Sequence, residues 1–260
     1  MSESVLRELD EYGVLLVTFN RPAKKNAFND AQWDAASAAL REAREDQRVA
    51  VVVVTGAGGD FSAGVDLSSF VQAPQRSDGH QSAYHAFMAT LVEFDKPLLA
   101  AAKGVGVGIG ATLLLHCDVV YVGESVRLRM PFVALGLVPE AASSYMLEAV
   151  VGARQAAELF FTAEWIDARR AVDTGIATRA YADSELLPAT LLKAREIAQY
   201  PVGSLQATKR TLLVARRAGV RAALAAEDEG MLRQVGTPEN IEAFQAFMEK
   251  RKPDFRMLRS

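Results

Sequence analysis

Lys103-Gly104-Val105-Gly106-Val107-Gly108-Ile109-Gly110-Ala111-Thr112 is the stretch on which the reading of this chain turns. It follows Pro97 to Ala102, an apolar run of strand length, and leads into Ala111 to Leu115, which reads as a buried helix. Glycine permits close backbone approach and dihedrals closed to other residues. A second strand-then-loop unit lies upstream. Val49 to Val54 is continuously apolar, and a glycine-containing loop from Gly56 to Gly64 follows, within Asp60-Phe61-Ser62-Ala63-Gly64-Val65-Asp66-Leu67. Two such loops at neighbouring strand ends can aim two backbone N–H groups at one point, as an oxyanion hole requires. The alternative is that the glycines only let helix and strand pack closely. Neither loop ends in the Gly-Lys-Ser/Thr of a phosphate loop. The dinucleotide reading fails too: the third glycine is not at its offset, and Arg127 to Pro131 stand where an acid is needed.

Working outward, strand-like and helix-like runs alternate and predict an α/β core. Val14 to Phe19 is a strand, and Arg21-Pro22 ends it. Asn29 has the character of an N-cap with Gln32 three residues on, followed by Trp33, Ala36, Leu40 and Ala43 at helical spacing. Tyr84, Phe87, Met88 and Leu91 mark a helix face, and Val119 to Val122 is a further strand. Val71 to Gly79 reads as a long connection or a lid. Helical periods dominate after about residue 150. The expected division is a core over residues 1–200 and a helical region over 201–260, with three helix-like stretches beyond Pro201. The last of these has Thr237 as cap, Pro238 at the first position and Ile241, Phe244, Phe247 and Met248 as its apolar stripe.

Composition narrows the function. The 260 residues carry a formal charge of -3 and are half hydrophobic, so a broad nucleic-acid surface is not expected. No apolar run approaches the ~20 residues that span a bilayer. The N-terminal segment lacks an apolar signal core, and Met257-Leu258-Arg259-Ser260 does not match a Ser-Lys-Leu-type address, so a cytoplasmic location is expected. The lone Cys117 permits no internal disulfide and reads as a buried inert thiol. His80, His85 and His116 have no metal-ligand spacing, so no metal is expected.

Five motifs in order carry a resemblance covering nearly the whole chain: Asn20-Arg21-Pro22 with Lys24-Lys25-Asn26-Ala27; Gly59 to Leu67; Lys103 to Gly110 continuing to Cys117-Asp118-Val119-Val120-Tyr121; Leu135-Gly136-Leu137-Val138-Pro139-Glu140; and Phe247 to Phe255. Together they resemble the crotonase (enoyl-CoA hydratase/isomerase) superfamily. The resemblance implies a spiral of ββα units with a C-terminal helical trimerisation region, in trimers or stacked hexamers. It implies an acyl-CoA substrate and no separate cofactor, coenzyme A being part of the substrate. It places the oxyanion-hole amides on Val65 and Ile109. Substrate and coenzyme A contacts fall on Lys24, Lys25, Ala27, Ala63, Gly64, Asp66, Leu67 and Phe132. Lys24 and Lys25 are phosphate partners in this reading and solvated loop charges in the plain one.

The same resemblance separates the reactions. Hydratases of this superfamily use two glutamates; Thr112 and Phe132 stand at those places. Neither activates a water. Glu140, in Val138-Pro139-Glu140-Ala141-Ala142-Ser143-Ser144, resembles the acid–base of the enoyl-CoA delta-isomerase branch, where one carboxylate moves the proton. The expected reaction is conversion of a 3-enoyl-CoA to the trans-2-enoyl-CoA in fatty-acid β-oxidation. Phe132, Leu135 and Leu137 are expected to desolvate the carboxylate. The plain alternative is that Glu140 caps a helix starting at Ala141. Hydration, thioester hydrolysis, decarboxylation, or a non-catalytic coenzyme A- or RNA-binding role stay open at this point.

Overall fold

The computed structural model describes residues 3–66 and 82–258. Leu67 and the connection expected over Val71 to Gly79 lie outside the described residues. One sheet of six strands runs in the order β1 (Val5–Leu9), β2 (Val14–Phe19), β3 (Val51–Gly56), β4 (Leu98–Ala102), β6 (Val119–Gly123) and β9 (Arg179–Tyr181). β1 and β2 form an antiparallel pair, and every later pairing in this sheet is parallel. A smaller sheet joins β5 (Val105–Val107) to β7 (Arg127–Arg129) and β8 (Ile166–Asp167).

The unbroken valines of β3 have a direct cause. Side chains alternate across a strand, and both faces of this one are covered. Val52 and Val54 enter the main core with Ala36 and Leu40 of α1 (Asp30–Glu45) and Phe87 and Leu91 of α2 (Ala83–Val92). Val51 and Val53 face the other way, onto Leu99 and Ala194 of α7 (Asp183–Ala198). A polar residue on either side would be buried without a partner. The parallel strands thus lie between helices, and their C-terminal ends open into the two glycine loops.

Local signals explain most boundaries. The Asn29 side chain accepts from the Gln32 N–H at 3.1 Å and caps α1. The reciprocal bond of a capping box is absent, because Gln32 Nε2 donates instead to the Asn26 carbonyl at 3.0 Å. The glycine stretch contains strand β5, and the expected buried helix begins earlier, as the short α3 (Ile109–Thr112) tightening into a 3-10 turn over Leu113–His116. Next come α4 (Ser143–Val151), α5 (Ala153–Thr162) and α6 (Ala168–Asp173).

Beyond Pro201 the chain departs from expectation. The first two helical stretches are one 33-residue helix, α8 (Val202–Gln234), followed by α9 (Pro238–Met248), which Thr237 caps. α8 carries Leu213, Val220 and Ala223 inward, and the last two join the main core. The expected stripe on α9 is not its inner face. Ala243, Ala246 and Asn240 are buried, whereas Ile241, Phe247 and Met248 are exposed. No helix among the described residues is long and apolar enough to cross a membrane.

An ion pair ties α8 to the sheet. Lys209 Nζ donates to Asp118 Oδ2 at 2.5 Å, and the same oxygen accepts from the Leu98 N–H at 2.8 Å. Lys209 is buried and the Asp118 side chain largely so. Removing Lys209 leaves the partly shielded Asp118 carboxylate without its cation. The substitution Lys209→Met should therefore lower unfolding free energy by about 3 kcal/mol in urea titration; a loss below about 1 kcal/mol would show the pair to be dispensable.

Candidate active site

The two glycine loops meet backbone to backbone. Ser62 forms a parallel bridge with Gly106: its N–H donates to the Val105 carbonyl at 2.9 Å, and its carbonyl accepts from the Val107 N–H at 2.9 Å. The first loop is fixed from its other side by Asn26. That residue is fully buried, and its amide nitrogen donates to the carbonyls of Ala57 at 2.9 Å and Asp60 at 2.7 Å. Ser62 Oγ donates back to the Asn26 carbonyl at 2.9 Å. The cluster of Asn26, Ser62 and Gly106 therefore locks three segments in register.

Gly64 is where side-chain absence is decisive. Its φ is +92°, and a Cβ there would stand 2.7 Å from the Val107 carbonyl oxygen. Gly108, at φ +54°, lies opposite. The residues after these glycines are Val65 and Ile109, so the close approach brings their two amides to neighbouring positions. The Phe28 N–H donates to the Gly64 carbonyl and the Asp66 N–H to the Phe28 carbonyl, a parallel bridge centred on Val65 that leaves the Val65 N–H directed away from Phe28.

Glu140 completes the group. Its Oε1 would lie 3.4 Å from a Cβ built on Gly108, and the Ile109 N–H hydrogen-bonds to its carboxylate. Burial, and after it the charge of Glu227, push the Glu140 carboxyl up to about 7; the Ile109 N–H opposes the rise. A carboxyl poised there is a far better base than an exposed one. The plain alternative, Glu140 as cap of a helix starting at Ala141, does not hold. Ala141 and Ala142 both have left-handed φ, and α4 begins only at Ser143.

The places of the two hydratase glutamates hold no acid–base group. Thr112 is fully buried and its hydroxyl has no hydrogen-bond partner. Phe132 is buried and packs on Phe160, ring centroids 6.3 Å apart. Among the described residues the other carboxylate near Glu140 is Glu227, whose two oxygens are already held by the amides of Ala142 and Ser144 at 2.6 and 2.8 Å.

The residues expected to meet coenzyme A lie on the first loop and its supports. Lys24 and Lys25 are exposed, and Lys25 pairs with Asp60 at 3.3 Å. The Ala63 N–H donates to the Lys25 carbonyl at 2.8 Å, joining the two segments. Ala27 is buried, and its carbonyl accepts from Arg21 Nη1. Asp66 is buried and accepts from Arg21 Nη2 at 2.9 Å, so its charge is balanced within the protein.

Sequence reading missed two side chains, Tyr84 and Glu227, both within hydrogen-bond reach of the Glu140 segment. Tyr84 Oη accepts from the Ala141 N–H at 2.9 Å. Burial, then the charge of Glu140, push its phenol up, so it stays protonated. Glu227 was legible in principle: it falls on the helical stripe Val220, Ala223, Glu227, where a carboxylate needs a buried partner. The two described histidines, His85 and His116, hold no place in this group. Burial lowers His116 to about 4, and its Nε2 faces the Ala141 carbonyl at 2.7 Å, so Nε2 carries the hydrogen. His85 is exposed and sits 3.2 Å from Asp228. Burial pushes the Cys117 thiol up, which keeps it unreactive.

Known proteins resemble this chain along nearly its whole length. The family model described as enoyl-CoA hydratase/isomerase matches residues 10–257. The chain is 32% identical to the 2,3-dehydroadipyl-CoA hydratase of Escherichia coli, over 98% of this chain and 99% of that one. It is 34% identical to the rat enoyl-CoA delta isomerase 2, over 78% of this chain and 52% of that one. A solved enoyl-CoA hydratase/isomerase from Pseudoalteromonas atlantica superimposes with a TM-score of 0.91 at 34% identity, covering 97% of this chain and 99% of that chain. A family model matched almost end to end, together with relatives that share the fold, makes this chain a member of the enoyl-CoA hydratase/isomerase family, within the crotonase superfamily.

Proposed function

We propose that the protein isomerises 3-enoyl-CoA esters to trans-2-enoyl-CoA esters with Glu140 as its acid–base. The observation that carries the reading is the desolvated Glu140 carboxyl at the Ile109 amide, with no second free carboxylate beside it among the described residues. The thioester oxygen accepts from the Val65 and Ile109 amides. Glu140 takes a proton from C2, and the electron pair moves into the conjugated dienolate. Two preorganised N–H groups stabilise the oxyanion, each worth about 3 kcal/mol in comparable sites. The same carboxyl group then delivers its proton to C4, and the double bond settles between C2 and C3. One group suffices because the proton leaves and returns on one face. Substrate binding takes the Ile109 N–H from the carboxylate and so removes the one bond that opposes its basicity.

A hydratase reading draws on the full-length relative of that name. It requires activation of a water as well as delivery of a proton, and Thr112, Phe132 and the occupied Glu227 supply no group for the first task. The substrate-contact assignments of Lys24, Lys25, Ala63 and Asp66 belong to the same proposal, as does assembly into a trimer or hexamer. Phe161, Leu232, Phe247 and Met248, exposed on α5, α8 and α9, support burial against further copies of the chain.

Incubation with a 3-enoyl-CoA should produce the conjugated thioester chromophore, while crotonyl-CoA should be hydrated at least about a hundredfold more slowly. Faster hydration than isomerisation would reverse the assignment. The variant Glu140→Gln should lose about a thousandfold in kcat/KM for isomerisation while keeping its thermal midpoint; retained turnover would remove Glu140 from the mechanism. Because the base must be ionised, kcat/KM should rise with pH to a plateau through an apparent pKa of about 7. A profile flat from pH 5 to 8 would contradict a desolvated carboxylate base.

A further inference from the structure

Two consecutive residues after Glu140 have dihedrals that alanine resists. Ala141 and Ala142 stand at φ +61° and +56°. Each such conformation costs an L-residue free energy, because Cβ crowds the carbonyl oxygen. The turn persists because distant elements hold its polar groups. Tyr84 from α2 accepts from the Ala141 N–H, and His116 donates to the Ala141 carbonyl. Glu227 from α8 accepts from the Ala142 N–H at 2.6 Å and from the Ser144 N–H at 2.8 Å. Two amides that α4 would leave unpaired at its start are thereby satisfied by one buried carboxylate.

We propose that Glu227 is a positioning residue for Glu140: by gripping the amides of Ala142 and Ser144, within and just after the left-handed Ala141-Ala142 turn, it fixes the Glu140 carboxylate against the Ile109 amide and presents a second negative charge behind it. The geometric claim stands on the hydrogen bonds alone; the effect on rate rests on the isomerase reading. Glu227 touches no reacting atom. Its two oxygens are committed to backbone N–H groups and to the Ser144 hydroxyl. The electrostatic consequence follows from proximity, since the Glu227 charge raises the Glu140 carboxyl. The other groups facing the pair are the Tyr84 phenol, Asp228 on α8 and the His85 that pairs with Asp228.

The test separates placement from charge. The Glu140 carboxyl is titrated by carbon-13 NMR in protein carrying labelled glutamate, its signal assigned by loss in Glu140→Gln, and isomerisation is measured in parallel. In Glu227→Gln the charge is gone, and one amide N–H faces a donor. The Glu140 midpoint should fall by roughly one pH unit, and kcat should drop about 10- to 100-fold with KM little changed. In Glu227→Asp the charge stays but the side chain is one methylene short. The midpoint should remain near that of the wild type while kcat still drops. A folded Glu227→Gln with an unmoved midpoint and kcat within about twofold of wild type overturns the proposal. Should Glu227→Gln not fold, wild-type kcat in Glu227→Asp overturns it. If the wild-type protein isomerises nothing, the functional reading fails, and the NMR titration still decides the role of Glu227.

Discussion

The approach of Gly64 to the Val107 carbonyl is the constraint on which the site depends. At 2.7 Å from the carbonyl oxygen there is no space for a Cβ, and at φ +92° the backbone would resist one. The Ser62–Gly106 bridge fixes the register in which the loops meet, and Asn26 fixes the first loop beneath it. The consequence is chemical. Two amides from segments over forty residues apart become neighbours without any side chain taking part, which is why Val65 and Ile109 can both be apolar. β3 and β4, buried on both faces, hold the bases of those loops rigid.

Against that cradle the fold sets one carboxyl whose charge is poorly solvated. Its basicity has a cost that the surroundings carry. Glu140 is pushed to about 7 by burial and by Glu227, and the turn that presents it is conformationally strained. Strain of this kind survives only where neighbouring structure over-determines it. Here Tyr84, His116 and Glu227 come from three separate elements to hold three of the peptide groups between Glu140 and Ser144. The long helix α8 therefore contributes to the site as well as to the core, and Lys209 and Glu227 on one helix anchor it at both ends of that contact.

The sequence made the fold and the cradle legible to differing degrees. Strands β3 and β4 were readable because burial on both faces demands continuous apolar residues, and α1 because Asn29 caps it. The two glycine loops were recognisable through their motifs, yet their meeting depends on Asn26 and on a two-residue bridge that no spacing announces. Helix α8 was read as two pieces because its inward stripe is narrow, consisting of Lys209, Leu213, Val220, Ala223 and Glu227. The stripe on α9 was read as buried because apolar residues normally face inward; Ile241, Phe247 and Met248 instead point outward. The helix-capping alternative for Glu140 fails because Glu227, distant in sequence, already occupies the amides that start α4. Long-range partners of this kind leave no local periodicity.

The central claim is that one carboxyl group carries a proton from C2 to C4 of the bound thioester. It is tested most directly by single-turnover isomerisation, in ordinary water, of a 3-enoyl-CoA bearing deuterium at C2. Transfer by Glu140 predicts that a measurable share of the label arrives at C4 of the product and that this transfer vanishes in Glu140→Gln. Product that forms at the wild-type rate with no deuterium at C4, or transfer that persists without the carboxyl group, would contradict the account.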